Sequence, residues 1–282
     1  MNVLERIFGV TKPLIAMCHL RALPGRPRHD GRAGMDAIYR ALRDDVLALQ
    51  RAGVDGLLFC NEHDLPYSVS VGVEAAAAQA AVIGRLTAEL TVPYGVDLLW
   101  DARSALAVAR ATGASFVREV FTGVFESDMG LLVPDFGELA GYRHAIGGDD
   151  IAIFTNVTPE FSRSVSGRPV DERARGAAFL GVDALLVSGP QAGAAVDLAD
   201  LRAALDGAGG VPVLANTGVT RGNAGPILAL ADGAIVGTDL KVDGSTWNAV
   251  DPQRASEMVA AVRKARNDQQ AGPGEPSSPA ER

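Results

Sequence analysis

From about residue 14 to residue 266, short apolar runs of strand length alternate with Ala-rich amphipathic stretches of helix length, with no linker-like break between them. The runs at 14–18, 56–60, 93–97, 116–120, 151–155, 184–188, 213–215 and 234–236 predict strands. Each is followed by a stretch that predicts a helix, at 34–52, 73–90, 102–112, 134–146, 170–180, 198–205, 221–231 and 252–266. Eight β-then-α units close a parallel barrel, so the pattern predicts an α/β fold, a (β/α)8 TIM barrel forming a single domain over residues 1–266. An open doubly wound sheet is the alternative, but it usually carries a GxGxxG turn after its first strand, and this chain has none there.

The passages RAGVDG at 51, ATGAS at 111 and LGVD at 180 share one design, in which a helix ends on glycine and a strand begins at once. Glycine suits the left-handed position just past a helix end, and these turns are short. The connections from strand to helix are much longer, at 20–33, 61–72, 122–133, 156–169 and 238–251. A parallel barrel builds its site from the loops that follow its strands, so the long loops mark the functional face.

Composition fits this picture. The chain has 282 residues, 48% of them apolar, and 26 Lys plus Arg against 34 Asp plus Glu, for a formal charge of −8. An acidic chain without a basic run argues against a nucleic-acid groove. No stretch approaches the roughly 18 apolar residues that span a bilayer, and the N-terminus lacks a signal-peptide pattern, so a cytoplasmic protein without direct membrane insertion is expected. Cys18 and Cys60 sit in apolar runs and read as buried free thiols. The segment 267–282, rich in Pro, Gly, Ser and polar residues, is expected to be a disordered tail. The Ala-rich stretch 73–90 is a candidate contact for a homo-oligomer, although burial against the barrel explains the same pattern.

The strongest chemical signal is LANTGVT at 214, then a helix, then DGAIVGTDLK at 232. Two glycine-containing turns follow the seventh and eighth strands, which are neighbours in a closed barrel. Their backbone N–H groups can cradle a phosphate without a basic side chain. Gly218, Val219, Gly237 and Thr238 are the expected phosphate-binding residues, with Ser188 and Gly189 at the sixth strand end close by. Glycines at strand ends also serve simply to permit tight turns.

IAMCHLRALPGRPR at 15, RAGVDGLL at 51, LVSG at 186 and VTRGNAGPILALADGAIVGTDLKVDGS at 219 resemble the BtpA family across about residues 14–251. The resemblance implies a ribulose-phosphate-binding type of TIM barrel. The family name carries a role in photosystem I biogenesis, while other relatives point to carbohydrate metabolism. The chain departs from the family pattern at three strand ends. The second usually ends Val-Glu-Asn, where this chain has FCNEHD at 59; the third usually ends in Asn, where it has Asp97; the fourth usually reads Arg-Val-Asn, where it has Arg118, Glu119 and Val120.

The remaining polar candidates lie on the same mouth. Asp97, Glu62, Glu119 and His19 are the candidate catalytic groups, and Asn61, Asn156 and Lys241 the candidate substrate contacts; His63 and Asp64 follow the second strand. Carboxylates and an imidazole together suit acid–base work or one divalent cation such as Mg2+, although no HxH, HExxH or CxxC spacing singles out a metal site. Arg118 and Glu119 are adjacent on a strand, so only one of them can enter the barrel. The bland reading has Arg118 in a structural ion pair with Glu119 or Asp97. Of the three lysines, Lys12 precedes the first strand, Lys264 is on the last helix, and Lys241 alone lies near the mouth, which disfavours imine chemistry. The expectation is an acid–base enzyme of isomerase, epimerase or lyase type acting on a phosphorylated sugar or related metabolite. Its rivals are a non-catalytic assembly factor and a barrel that binds flavin mononucleotide.

Overall fold

The computed structural model describes residues 2–270. Its strands are β1 (Leu14–His19), β2 (Gly56–Cys60), β3 (Tyr94–Asp97), β4 (Phe116–Glu119), β5 (Phe125–Ser127), β6 (Gly130–Leu132), β7 (Ala152–Thr158), β8 (Ser162–Ser164), β9 (Ala184–Val187), β10 (Val213–Ala215) and β11 (Gly233–Val236). Its helices are α1 (Val3–Phe8), α2 (Gly34–Ala52), α3 (Val73–Leu86), α4 (Ala102–Thr112), α5 (Phe136–Ala145), α6 (Val170–Leu180), α7 (Leu198–Gly207), α8 (Ala224–Leu230) and α9 (Pro252–Gln270). Eight parallel strands close a barrel in the order β1-β11-β10-β9-β7-β4-β3-β2, and β6, β5 and β8 form a small antiparallel sheet. The fold is the expected TIM barrel.

Strand alternation sorts the apolar residues into two layers. Ile15, Met17, Leu58, Phe116, Phe154, Leu186, Leu214 and Ile235 fill the barrel interior, while Ala16, Leu57, Val96, Val117, Ile153 and their neighbours pack under the helices. Phe116 stacks on Phe154 with centroids 4.7 Å apart, and Phe8 meets Phe116 edge-on at 5.6 Å. Phe8 and Leu4 belong to α1, a helix outside the eight expected units that plugs the N-terminal end of the barrel. With that end closed, the interior opens only toward the long loops.

The repeated helix-to-strand turn has a second physical basis. Gly53, Gly113 and Gly181 end α2, α4 and α6 in the left-handed region. In three turns an aspartate then accepts the N–H that starts a neighbouring strand: Asp55 from Leu14 at 2.8 Å, Asp183 from Ile153 at 2.8 Å and Asp232 from Val213 at 2.9 Å. These carboxylates satisfy strand ends that would otherwise lack a partner.

Several element ends shift by one to a few residues, and three differences go further. β7 continues to Thr158 through an irregular register between Asn156 and Thr158, which carries its end higher on the mouth. The 122–133 connection folds into the β5–β6 hairpin, pairing also with β8. Residues 267–270, expected in the tail, continue α9 because Gln269 Nε2 donates to Leu228 O on α8. The rest of that tail, 271–282, lies outside the described residues. The apolar side of α3, including Ala75, Val82, Ile83 and Leu86, is buried in the layer between strands and helices. Among the described residues, no helix is long and apolar enough to cross a membrane.

Candidate active site

A cavity of about 270 Å³ opens at the C-terminal end of the barrel strands. One side is built from the loops after β9, β10 and β11, and the other from ionisable side chains of β1, β2, β4 and the segment after β7.

On the first side, Gly218, Val219, Gly237 and Thr238 line the cavity as expected. Ser188 and Gly189 do not. Ser188 is buried below, where its Oγ accepts the amides of Asn156 at 2.7 Å and Asn216 at 2.8 Å, and Gly189 N donates to Thr217 Oγ1 at 2.6 Å. The loop turns back at that point, and Ala192 and Gly193 take the lining position instead. Gly218 has φ +62°, and its Cα is pressed against the backbone of Ala194 and Ala195, so a side chain has no room there. Four threonines, Thr217, Thr220, Thr238 and Thr246, add hydroxyls, with Thr238 Oγ1 2.7 Å from Thr246 Oγ1. Among the described residues, the N–H groups of Gly218 and Val219 donate to no other group. Arg254, in the first turn of α9, brings a guanidinium to this end while Asp239 holds its Nη2 at 2.8 Å.

On the second side, Arg118 enters the barrel directly above Phe116, two residues earlier on β4. Its Nη1 donates to Asp97 Oδ2 at 2.5 Å and its Nη2 to Glu160 at 3.2 and 3.3 Å. Asn156 and Asn216 donate to the same Glu160 carboxylate at 3.3 and 3.4 Å. The ion-pair reading of Arg118 with Asp97 is therefore correct, and Glu160 is a second partner. Glu119 is the member of the adjacent pair that faces away. Its carboxyl accepts Trp100 N at 2.8 Å and Val120 N at 3.0 Å. Burial and the neighbouring Asp97 push its pKa well above the ordinary carboxylate range. The neighbouring Asp97 Oδ1 is buried without a hydrogen-bond partner.

Two expected catalytic groups lie off this cavity. Asp97 is 0% exposed and Glu119 is buried, and neither lines the cavity; they hold Arg118 and the β3 loop. Glu62 and His19 do line it. Tyr67 OH donates to Glu62 Oε1 at 3.2 Å. Burial, opposed by Arg118 and reinforced by Glu160 and Asp97, raises the Glu62 carboxyl to about 7. His19 Nδ1 faces Thr246 O at 3.4 Å. A carbonyl only accepts, so Nδ1 carries the proton and Nε2 keeps a lone pair. Burial and the Lys241 charge hold this imidazole neutral, well below its ordinary pKa.

The expected substrate contacts are also redistributed. Asn61 is a brace: its Nδ2 donates to Asp64 Oδ2 at 2.9 Å and its Oδ1 accepts Leu99 N at 2.8 Å. Asp64 in turn accepts Leu23 N at 2.7 Å, tying the β2 loop to the β1 loop. Asn156 points into the Glu160–Ser188 network. Lys241 is 1% exposed and paired with Asp45 of α2 at 2.9 Å, away from the lining. His63 stacks edge-on against Trp247, with centroids 5.4 Å apart. Among the described residues, no group of three or more His, Cys, Asp or Glu side chains is arranged to hold a metal ion. Glu160 carries no signal in a pattern that ends the fifth strand at 155, whereas β7 runs to Thr158 and lifts Glu160 onto the mouth. Asn216, directly after the β10 run, carried the clearer signal of a polar residue at a strand end.

The sequence matches the BtpA family over residues 10–264. The chain belongs to that family. Among its relatives it is 40% identical to the putative sgc region protein SgcQ of Escherichia coli, over 94% of this chain and all of that one. It is 33% identical to the photosystem I biogenesis protein BtpA of Synechocystis, over 92% of this chain and 91% of that one. The BtpA-family barrel also resembles solved structures at fold level. Phosphoribosyl anthranilate isomerase of Thermus thermophilus superposes with a TM-score of 0.55 at 14% identity, covering 89% of this chain and 98% of that one. The 7,8-dihydropteroate synthase of Vibrio fischeri superposes with a TM-score of 0.58 at 12% identity, covering 93% and 94%. At such identities the shared property is the barrel.

Proposed function

We propose that this BtpA-family protein is an acid–base enzyme, of isomerase, epimerase or lyase type, acting on a phosphorylated sugar or related small metabolite. The observation that carries this reading is the two-sided cavity: free backbone N–H groups, threonine hydroxyls and Arg254 at one end, and a near-neutral carboxyl beside a neutral imidazole at the other. The phosphate sits against Gly218, Val219, Gly237 and Thr238, with the Thr217 and Thr220 hydroxyls and Gly193 completing the cradle. Glu62 moves the proton, since a group that titrates near 7 is present in both forms at neutral pH. His19 Nε2 accepts from a substrate hydroxyl. Asp97 and Glu119 position Arg118 without touching substrate, while Glu160 lines the cavity and holds Arg118 Nη2. A cytoplasmic setting suits such a reaction, because phosphorylated sugars do not cross membranes unaided.

The two rival readings find less support. A flavin ring system needs a flat apolar slot, and this cavity has Glu62, Arg118 and Glu160 in that space. An assembly role, as the name of the Synechocystis relative would suggest, has no use for buried ionisable groups that cost stability. The test is a thermal-shift panel of inorganic phosphate and phosphorylated sugars. A ligand at a hundred times its Kd adds about 2.7 kcal/mol. Stabilisation by a phosphorylated sugar well beyond inorganic phosphate supports the reading; no response to any phosphorylated compound refutes it.

A further inference from the structure

The ionisable end of the cavity carries an uneven charge balance. Arg118 is the cation there, and each of its terminal nitrogens already donates to a carboxylate, Nη1 to Asp97 at 2.5 Å and Nη2 to Glu160. A guanidinium locked between two carboxylates cannot swing out to clamp a third. Against this one charge stand Asp97, Glu160 and, in its ionised form, Glu62. Lys241, close enough to depress His19, spends its charge on Asp45.

The hydrogen-bonding inventory points the same way. The Asn216 and Asn156 amides both donate to Glu160 and Ser188, so these donors are used inside the network. Apart from the remaining N–H groups of Arg118, what faces a ligand is acceptor-rich: the carboxylate oxygens of Glu62 and Glu160 and the Nε2 lone pair of His19. Such a surface satisfies O–H and N–H donors and leaves a second anion without partners.

We infer that this end of the cavity selects a donor-bearing head, a hydroxylated carbon chain or its amino counterpart, and rejects a phosphorylated ligand whose far end is a carboxylate. The inference rests on the proposed phosphate reading and adds the discrimination at the opposite end. It divides the metabolites that carry one phosphate into two classes: phosphorylated aldoses, ketoses and amino sugars on one side, and phosphorylated sugar acids on the other.

The test uses ligands matched in length and differing at the head: glucose 6-phosphate, glucosamine 6-phosphate and 6-phosphogluconate, with inorganic phosphate as reference, titrated into the full chain by calorimetry. Glucose 6-phosphate or glucosamine 6-phosphate is expected to bind at least tenfold more tightly than 6-phosphogluconate. Glu62→Gln, which keeps the shape and removes a charge, is expected to narrow that ratio by improving the acid. Equal or tighter binding of 6-phosphogluconate overturns the inference while leaving the phosphate reading intact. Binding of inorganic phosphate without gain from any sugar does the same. Failure of all four ligands, phosphate included, removes the phosphate reading and this inference with it.

Discussion

Replacing Glu62 by glutamine separates the electrostatic account of this site from one based on shape alone. The side chain is 8% exposed, and its carboxyl is raised from an ordinary 4.5 to about 7, first by burial and then by Glu160 and Asp97 acting against Arg118. Below about pH 4.5 the group is neutral whether the chain is folded or unfolded, and its contribution to stability is fully present. Between about 4.5 and about 7 the unfolded chain ionises first, so the folded state holds the extra proton and stability falls as pH rises. Above about 7 that contribution is lost. A shift of this size corresponds to about 3 kcal/mol. Glutamine is a permanently neutral stand-in for the protonated form, so Glu62→Gln escapes the loss.

The measurement is urea and thermal unfolding of both proteins at pH 4.5, 6 and 8. Near pH 4.5 the two should be alike. At pH 8 the variant should be the more stable by up to about 3 kcal/mol, or roughly 6 °C in Tm for a chain of this size. Glu119 and Glu160 also have raised pKa values, but both proteins retain them, so the difference reports Glu62 together with its coupling to Glu160. A variant that is less stable at every pH, or a difference that does not change from pH 4.5 to 8, refutes the electrostatic account. If Glu62 moves the proton, the same variant should also lose turnover while keeping its phosphate affinity.

Gly218→Ala places a methyl group against the Ala194 carbonyl at a positive φ; we expect a loss of about 1–3 kcal/mol and at least tenfold weaker phosphate binding, checked by unfolding and calorimetry. Lys241→Met leaves Asp45 charged and buried, at a cost of about 3–5 kcal/mol by urea denaturation. Adding Asp45→Asn should recover part of that loss, because asparagine can still accept Val250 N without the charge. Thr246→Val removes the hydroxyl beside Thr238 but keeps the carbonyl that faces His19. Sugar-phosphate affinity should fall about threefold to tenfold with little change in Tm.

The barrel was legible because each of its units repeats the same signals: an apolar run, an amphipathic stretch, and a glycine at the helix end. Gly53, Gly113 and Gly181 take the left-handed conformation that the repeat implied. The polar mouth was legible only as a set of strand ends. Period-two alternation stated correctly that Arg118 and Glu119 part company, but it could not choose which one enters, since that depends on the partners waiting inside. Asp97 and Glu160 decide it, and Glu160 reaches the mouth only because β7 passes through a register irregularity that no pattern in the chain announced. Lys241 shows the converse. Three residues past Thr238 it reads as a mouth charge, yet the turn carries it down to Asp45, a partner 196 positions away in sequence.

Three carboxylates of the mouth meet in space. Glu62, Asp97 and Glu119 come from three different strand ends, and all three interact electrostatically around Arg118. An asparagine at 97 needs no countercharge, whereas the aspartate is paired with Arg118 and adds to the effect of burial in raising the pKa of Glu119 beside it. Asp97 and the ionised form of Glu62 together put negative charge beneath the cavity. Asp97→Asn removes part of it while Glu160 still pairs Arg118. A unit charge roughly 8 Å away counts for about 2 kcal/mol at an effective dielectric of about 20. The variant should therefore bind 6-phosphogluconate roughly tenfold or more tighter relative to glucose 6-phosphate. An unchanged ratio between the two ligands, measured on a variant with a cooperative melt, would mean that charge beneath the cavity does not set head-group choice.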